Sequence, residues 1–435
     1  MLTPSPRLIA LLAVSALIAF GADLLGGGML WIGAGASLLG CLVLLECVSL
    51  LLTPSPHITR EIAHALPVGV WSSYRLICTN PSAKPMQFTL FDHLPDTLSF
   101  KGFPSTCTLP AHVSLTHTFQ LMPCARGVAE GGRIEIVLHG SMRLFRQRRL
   151  CGEVFRVKVY PNYAAIAGYR LLARENRLGL LGIRHRPRRG EGLEFRQLRE
   201  YRQGDTLRQI DWKATSRHQK LVSREYQEEK NQQIVILMDC GRTMRSMDQQ
   251  TSHFDQGLDA LLLLSYIALR QGDAVGVQAF NGDHRVFAPR KGISTLNHLL
   301  KGLFDLQPTL AAFDFLDATE RFLRRQPRRA LVVVITNIGA EDPEELLAGC
   351  RQLQKRHLVL LANMRETVID QTIQAEIPDF DAALRYSATQ LYLQQREAVL
   401  RRVRQQGIWL LDATPEKMPS LIVNRYLDIK RSGQL

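Results

Sequence analysis

The sequence has no Cys-x-x-Cys pair in its 435 residues. Its eight cysteines, Cys41, Cys47, Cys78, Cys107, Cys124, Cys151, Cys240 and Cys350, are scattered, so zinc-ribbon and dithiol redox readings lack support. Two lie in membrane-like sequence and others in apolar strand contexts, the pattern of reduced, buried thiols in a reducing compartment. A Walker-type phosphate loop is missing, which excludes a P-loop nucleotide hydrolase. No Ser/His/Asp or Cys/His set can be assigned. His185, His218, His253, His284 and His357 are dispersed, and surface or structural roles are their default. Acidic residues are the scarcer charge, 40 against 54 basic, for a formal net charge of +14. That surplus favours nucleic acid, an acidic partner or an anionic membrane surface. A positive-inside bias beside a membrane anchor accounts for it more simply. The basic tracts have no aromatic stacking platform and no nucleic-acid module, so no nucleic-acid partner is expected.

What is present reads as several domains, since 435 residues exceed one ordinary core. Leu8 to Leu25 is nearly all apolar, Gly26-Gly27-Gly28 breaks the run, and Met29 to Leu52 is a second run interrupted only by Glu46. Each is close to the roughly 20 residues that cross a bilayer. Arg7 precedes the pair, Arg60 follows it, and the connector has no Lys or Arg. Both ends are therefore expected inside, as a two-span hairpin over residues 1–55 with the large domain cytoplasmic. Glu46 is costly in lipid unless it packs or snorkels near the end of its span.

Residues 56–162 change character. Short strands are expected at 71–78, 87–91, 113–121, 133–138 and 154–159, with turn residues between them, as in a small all-β sandwich. The basic tract at 142–149 fits a charge-protected hairpin or edge strand better than a lipid-binding patch. Residues 163–230 read as a linker followed by a charged segment. Helical spacing covers 162–182 and a basic loop 184–189. Asp205 is placed to cap a helix running through Leu207, Ile210 and Ala214, and 221–227 alternates like a strand.

Residues 231–435 alternate strand and helix, which predicts an α/β doubly wound sheet. Strands are expected at 234–238, 274–280, 330–336, 358–362 and 409–412, with an edge strand at 285–288. Helices are expected at 258–270, 296–306, 313–325, 343–355 and 388–405. Ligands in such folds collect at the carboxyl ends of the strands, where Asp239, Thr243, Thr336 and Asn337 would lie.

The charged segment carries a motif. Arg199-Glu200-Tyr201, Gly204-Asp205, Arg208, Ile210-Asp211-Trp212-Lys213 and Arg217 resemble, at fixed spacing, the signature of domain-of-unknown-function family fifty-eight, the YeaD-like bacterial membrane proteins. The anchor, the Arg126-Gly127 turn and the Val159 to Asn162 stretch are similar to the family's layout. The resemblance implies a bacterial inner-membrane scaffold or adaptor. It would work with a MoxR-type AAA+ ATPase and other membrane proteins, in complex assembly or maturation.

The last domain is similar to a von Willebrand factor A-type domain. That similarity implies a divalent-ion site at Asp239, Thr243, Thr309 and Asn337. Gly241 lacks the usual hydroxyl and Asn337 is neutral, so at most weak Mg2+ is expected and no cofactor is certain. A metal-dependent enzyme at the membrane surface is the alternative. Asp205 and Asp211 offer an acid/base pair on paper. With Arg199, Arg208 and Lys213 close by in sequence, a structural charge network is the stronger expectation. The balanced signs of the whole stretch suggest a lock between domains, with Arg199, Glu200, Tyr201, Gly204, Asp205, Arg208, Asp211, Trp212, Lys213 and Arg217 in structural or partner-binding roles.

Overall fold

The computed structural model describes residues 2–24, 29–162, 194–202, 207–227, 231–248, 251–338 and 343–435. The chain divides into two compact units, Met1–Tyr160 and Pro161–Leu435. The expectations for 163–193, and for Gly204 and Asp205, fall outside the described residues, as does the side chain of Arg208.

The first unit begins with a short strand, β1 (Leu2–Pro4), before two apolar helices, α1 (Pro6–Leu24) and α2 (Met29–Leu52). Among the described residues one helical stretch, Gly33–Leu52, is long and apolar enough to cross a membrane. Strands β2 (His57–Glu61), β3 (Ala65–Pro67), β4 (Ser72–Thr79), β5 (Met86–Asp92), β6 (Leu98–Lys101) and β7 (Ser105–Leu109) follow. Then come β8 (Ser114–Pro123), β9 (Gly127–Gly131), β10 (Ile134–His139), β11 (Phe145–Cys151) and β12 (Phe155–Tyr160). They form sheets of order β1-β11-β10-β5-β7, β2-β4-β8-β6 and β3-β12-β9, antiparallel except for β3 with β12. Alternate residues such as Phe88 and Leu90, Leu76 and Cys78, and Ile134 and Ile136 point into one shared core, the period-two pattern of half-buried strands.

The basic tract is not an edge. Leu2 pairs with Gln147 and Pro4 with Phe145, so β1 covers the open side of β11. Ser5 closes the junction: its backbone N–H donates to Leu144 O (2.8 Å) and its hydroxyl to Arg143 O (2.5 Å). The far end of α2 meets the same hairpin. Arg149 donates to the carbonyls of Leu50 (3.1 Å) and Thr53 (2.6 Å), satisfying acceptors that a helix end leaves open. The start of α1 and the end of α2 are therefore both fixed at one β hairpin, and the two helices leave and return at the same place. Burial of the cysteines is incomplete: all eight are free, but Cys41 and Cys124 are exposed and Cys47 half-buried, because helix and loop surface face outward there.

In the second unit a hairpin, β13 (Glu194–Glu200) with β14 (Val222–Gln227), encloses a short helix, α3 (Trp212–His218). The six-stranded sheet has the order β19-β18-β15-β20-β21-β22. Its strands are β15 (Gln233–Asp239), β18 (Ala274–Phe280), β19 (Val286–Arg290), β20 (Leu331–Thr336), β21 (Leu358–Met364) and β22 (Trp409–Ala413), and a two-residue pair, β16 (Met247–Asp248) and β17 (Thr251–Ser252), lies apart. Five strands are parallel and β19 runs antiparallel at one edge. Ile234, Ile236 and Met238 of β15 face one core and Val235 and Leu237 the other. Helices α4 (His253–Arg270) and α5 (Ser294–Leu303) pack on the first face. Helices α6 (Phe315–Arg325) and α7 (Pro343–Gln354) pack on the second. Burial on both faces is why these strands read as unbroken apolar runs.

Helix α8 (Thr367–Gln374) and the terminal α10 (Met418–Arg431) were not anticipated, and α9 (Phe380–Gln405) begins eight residues earlier than 388, where Asp379 accepts from Ala382 N. The terminal helix is tied down by a buried group. Lys430 Nζ lies 2.7 Å from Asp273 Oδ2, Tyr426 donates its hydroxyl to the same oxygen at 2.5 Å, and both charged side chains are almost fully enclosed. Lys430→Met leaves Asp273 without a cation and should destabilise the chain by about 3–5 kcal/mol. Urea unfolding checks this, and adding Asp273→Asn should restore part of the loss.

Candidate functional site

The apolar runs of the sheet end in polar residues. Asp239 closes β15, Asn281 follows β18, and Thr336 and Asn337 end β20. They meet at the carboxyl edge of the sheet, at a cavity of about 470 Å3 lined by Asp239, Thr243, Asn281, Asn337, Glu366 and Tyr392. The size falls in the usual range for small-molecule pockets.

Asp239 is fully buried. Its Oδ1 accepts from the Gly241 N–H (2.8 Å) and Asn281 Nδ2 (2.9 Å), and its Oδ2 from the Thr336 hydroxyl (2.7 Å). All three donors are neutral. Burial therefore pushes its pKa above the ordinary carboxylate value, and the three hydrogen bonds oppose the shift. Gly241 permits the close turn, since a Cβ there would sit 3.1 Å from Asp239 Oδ1.

Asn337 links the cavity to a second cluster. Its Nδ2 lies 2.6 Å from Glu366 Oε1 and 3.2 Å from His253 Nδ1, and His253 Nε2 lies 3.3 Å from Asp248 Oδ2. His253 is completely enclosed. Burial, then the Glu366 carboxylate, raises the pKa of Tyr392. On the far side of Tyr392, Arg396 pairs with Asp412 at 2.5 Å, and Asp412 accepts from Asn363 Nδ2 (2.9 Å). A continuous polar seam thus runs across the ends of the parallel strands.

Of the expected ion ligands, Asp239, Thr243 and Asn337 come together and Thr309 does not join them. Its hydroxyl lies 2.6 Å from Asn281 O and 3.2 Å from Cys240 O, where it holds the loop after β18. The sequence reading missed Asn281, Glu366, His253 and Tyr392. Asn281 stands in the same relation to its strand as Asp239 and Asn337 do to theirs, and that was the available signal. No group of three or more His, Cys, Asp or Glu able to hold a metal occurs among the described residues. Both Asp239 oxygens are engaged by neutral donors and Asn337 binds Glu366 through its amide nitrogen. This donor set does not fit a tight Mg2+ site, which calls for several anionic oxygens.

The motif residues separate by role. Asp211, expected within the helix, is its cap. Its Oδ1 accepts from Lys213 N and Ala214 N (both 3.0 Å) and its Oδ2 from Arg224 Nε (2.9 Å). These bonds, the one to Ala214 first, hold its pKa below the usual carboxylate value. The described helix begins only at Trp212, behind a short turn at Leu207–Gln209. Ile210 and Val222 are buried, and the Tyr201 N–H donates to Leu221 O (2.9 Å). Lys220 pairs loosely with Glu200 at 3.4 Å, Arg199 donates to Glu200 O at 3.1 Å, and Lys213 and Arg217 are exposed. Trp212 is 66% exposed.

Residues 197–406 match the family described as "Protein of unknown function DUF58". The chain is similar to "Uncharacterized protein YeaD" of Bacillus subtilis (strain 168), 23% identical over 150 residues, which is 33% of this chain and 34% of that protein. The match thus spans about a third of the curated relative. Among solved structures, an aerotolerance-related membrane protein from Bacteroides fragilis NCTC 9343 is 16% identical with a TM-score of 0.24, covering 31% of this chain and 67% of that one. A Salmonella alpha-2-macroglobulin is 17% identical with a TM-score of 0.20, covering 24% and 7%. Neither likeness extends to a whole fold.

Two outcomes follow from the geometry. Asp211→Ala should lower the thermal midpoint by a few degrees through loss of the cap, while Trp212→Ala leaves it unchanged. In the metal-free chain, the raised Asp239 pKa means that the folded state keeps a proton the unfolded state has released. Stability from this group is full below about pH 4 and falls as pH rises toward the folded-state value. Asp239→Asn should flatten that slope in thermal melts recorded from pH 4 to 8.

Proposed function

Residues 197–406 match the DUF58 family, and from that premise we propose that the chain is a membrane-anchored scaffold or adaptor working with a MoxR-type AAA+ ATPase. In this reading α1 and α2 form a two-span hairpin in the bacterial inner membrane. The first unit is a β-sandwich, the sheet of the second is a doubly wound von Willebrand factor A-like domain, and both face the cytoplasm.

The observation that carries the proposal is an exposed apolar stripe along α9, one end of which adjoins the cavity. Phe380, Leu384 and Leu391 of α9 are all exposed, Phe380 by 80%, and the next residue, Tyr392, lines the cavity wall. Apolar side chains set beside a polar pocket are the composition of a protein-binding surface with a specificity centre. The family motif adds an exposed Trp212 on a rigidly capped helix, a residue type favoured at binding hot spots.

Co-purification of the membrane-extracted chain with a MoxR-type ATPase from the same cell tests this. The expected result is enrichment that Phe380→Asp with Leu391→Asp reduces by about tenfold or more, as for lost interface anchors. Equal recovery with and without residues 190–435 overturns the scaffold reading. A Mg2+-dependent hydrolysis that Asp239→Ala abolishes would replace it by the metal-dependent enzyme.

A further inference from the structure

A second cavity, of about 380 Å3, lies within the first unit where α2 meets the sheets. Its wall includes Glu46 and Ser49 of α2 and Thr53 just beyond it, with Lys84, His139 and Ser141 from the strand ends. Glu46 interrupts an otherwise apolar helix and is only 6% exposed. One of its carboxylate oxygens, Oε1, accepts from the backbone N–H groups of Met142 and Leu144, both at 3.1 Å. The other, Oε2, is buried with no hydrogen-bond partner. A desolvated carboxylate oxygen is costly to leave unpaired, so a donor from outside the protein would be favoured there.

The neighbouring cations are committed elsewhere. Arg149 caps α2, Arg148 pairs with Glu135, and Arg143 donates to Gln87 Oε1 at 2.7 Å. His139 is held to Thr89 at 3.0 Å, and burial, followed by Arg146 and Arg143, favours its neutral form. The wall therefore offers one acid, Glu46, one exposed base, Lys84, and several hydroxyls. That set matches a dipolar ligand with an ammonium at one end and a phosphate at the other. On α2, Leu45, Val48 and Leu52, the immediate neighbours of Glu46, Ser49 and Thr53, are exposed and apolar. They would accompany acyl chains that leave the cavity.

We infer that this cavity binds the headgroup of an aminophospholipid, with its primary ammonium on Glu46 Oε2 and its phosphate toward Lys84 and the hydroxyls. The inference rests on α2 being a membrane span. A phosphatidylcholine has no N–H to give to Glu46, and a phosphatidylglycerol brings no cation to it.

The test is native mass spectrometry of the full chain released from nanodiscs holding equal phosphatidylethanolamine, phosphatidylglycerol and phosphatidylcholine. Phosphatidylethanolamine should be retained preferentially. Glu46→Gln should cut that retention by about tenfold, as for a hydrogen bond to a charged group. Glutamine keeps an acceptor for the Met142 and Leu144 amides, so thermal melting should not change. Lys84→Gln should lower retention of all three lipids alike. Equal retention of the three, or an unaffected Glu46→Gln variant, overturns the inference. Displacement of the lipid by water-soluble glycerophosphoethanolamine at matched concentration would assign the site to a free headgroup and overturn the lipid. Carbonate washing separates the two readings. A chain stripped from membranes refutes the span itself, whereas a chain that stays in the pellet but selects no lipid refutes only this site.

Discussion

A parallel sheet covered on both faces leaves its polar side chains one place to go, the ends of its strands. That constraint organises the second unit. The strand ending at Asp239 is apolar on both sides up to that residue, and so is the strand ending at Thr336. The polar groups that terminate them are buried, and several are satisfied by one another. Thr336 and Asn281 serve Asp239, Asn363 serves the backbone of Ile338, and Arg396 serves Asp412. The cavity is the space these partnerships leave open. Its wall keeps two open acceptors, since Asn337 Oδ1 and Glu366 Oε2 are buried without a hydrogen-bond partner.

Much of this was legible in the sequence, for reasons that can be named. Ala274–Phe280 and Leu331–Thr336 are apolar runs bounded by turn residues, and the structure places strands there almost to the residue. In the first unit, residues 86–92 and 134–139 alternate, and one side of each faces the core. The expected family and the α/β character of the second unit held for the same reason, since both rest on local spacing.

What escaped is what depends on distant partners. Leu2–Pro4 has no period of its own and becomes a strand only by pairing with residues 145–147. The terminal helix is anchored by a lysine that pairs with an aspartate more than 150 positions earlier. Glu366 sits two residues beyond a strand in no recognisable motif, and the fold alone brings it to Asn337.

The pairing of the first strand with β11 has a bearing on how the chain is made. Leu2 and Gln147 are far apart along the chain, so this pairing closes a long loop. Such non-local pairing is slow, because the intervening loop must be closed before any contact rewards it. Both apolar helices lie inside that loop. Until β1 arrives, the basic strand β11 is the open flank of its sheet, and its alternating arginines, Arg146 and Arg148, are well suited to repelling a second chain there. The charge that the finished sheet covers with β1 is thus the kind that keeps an uncovered strand from pairing with another chain.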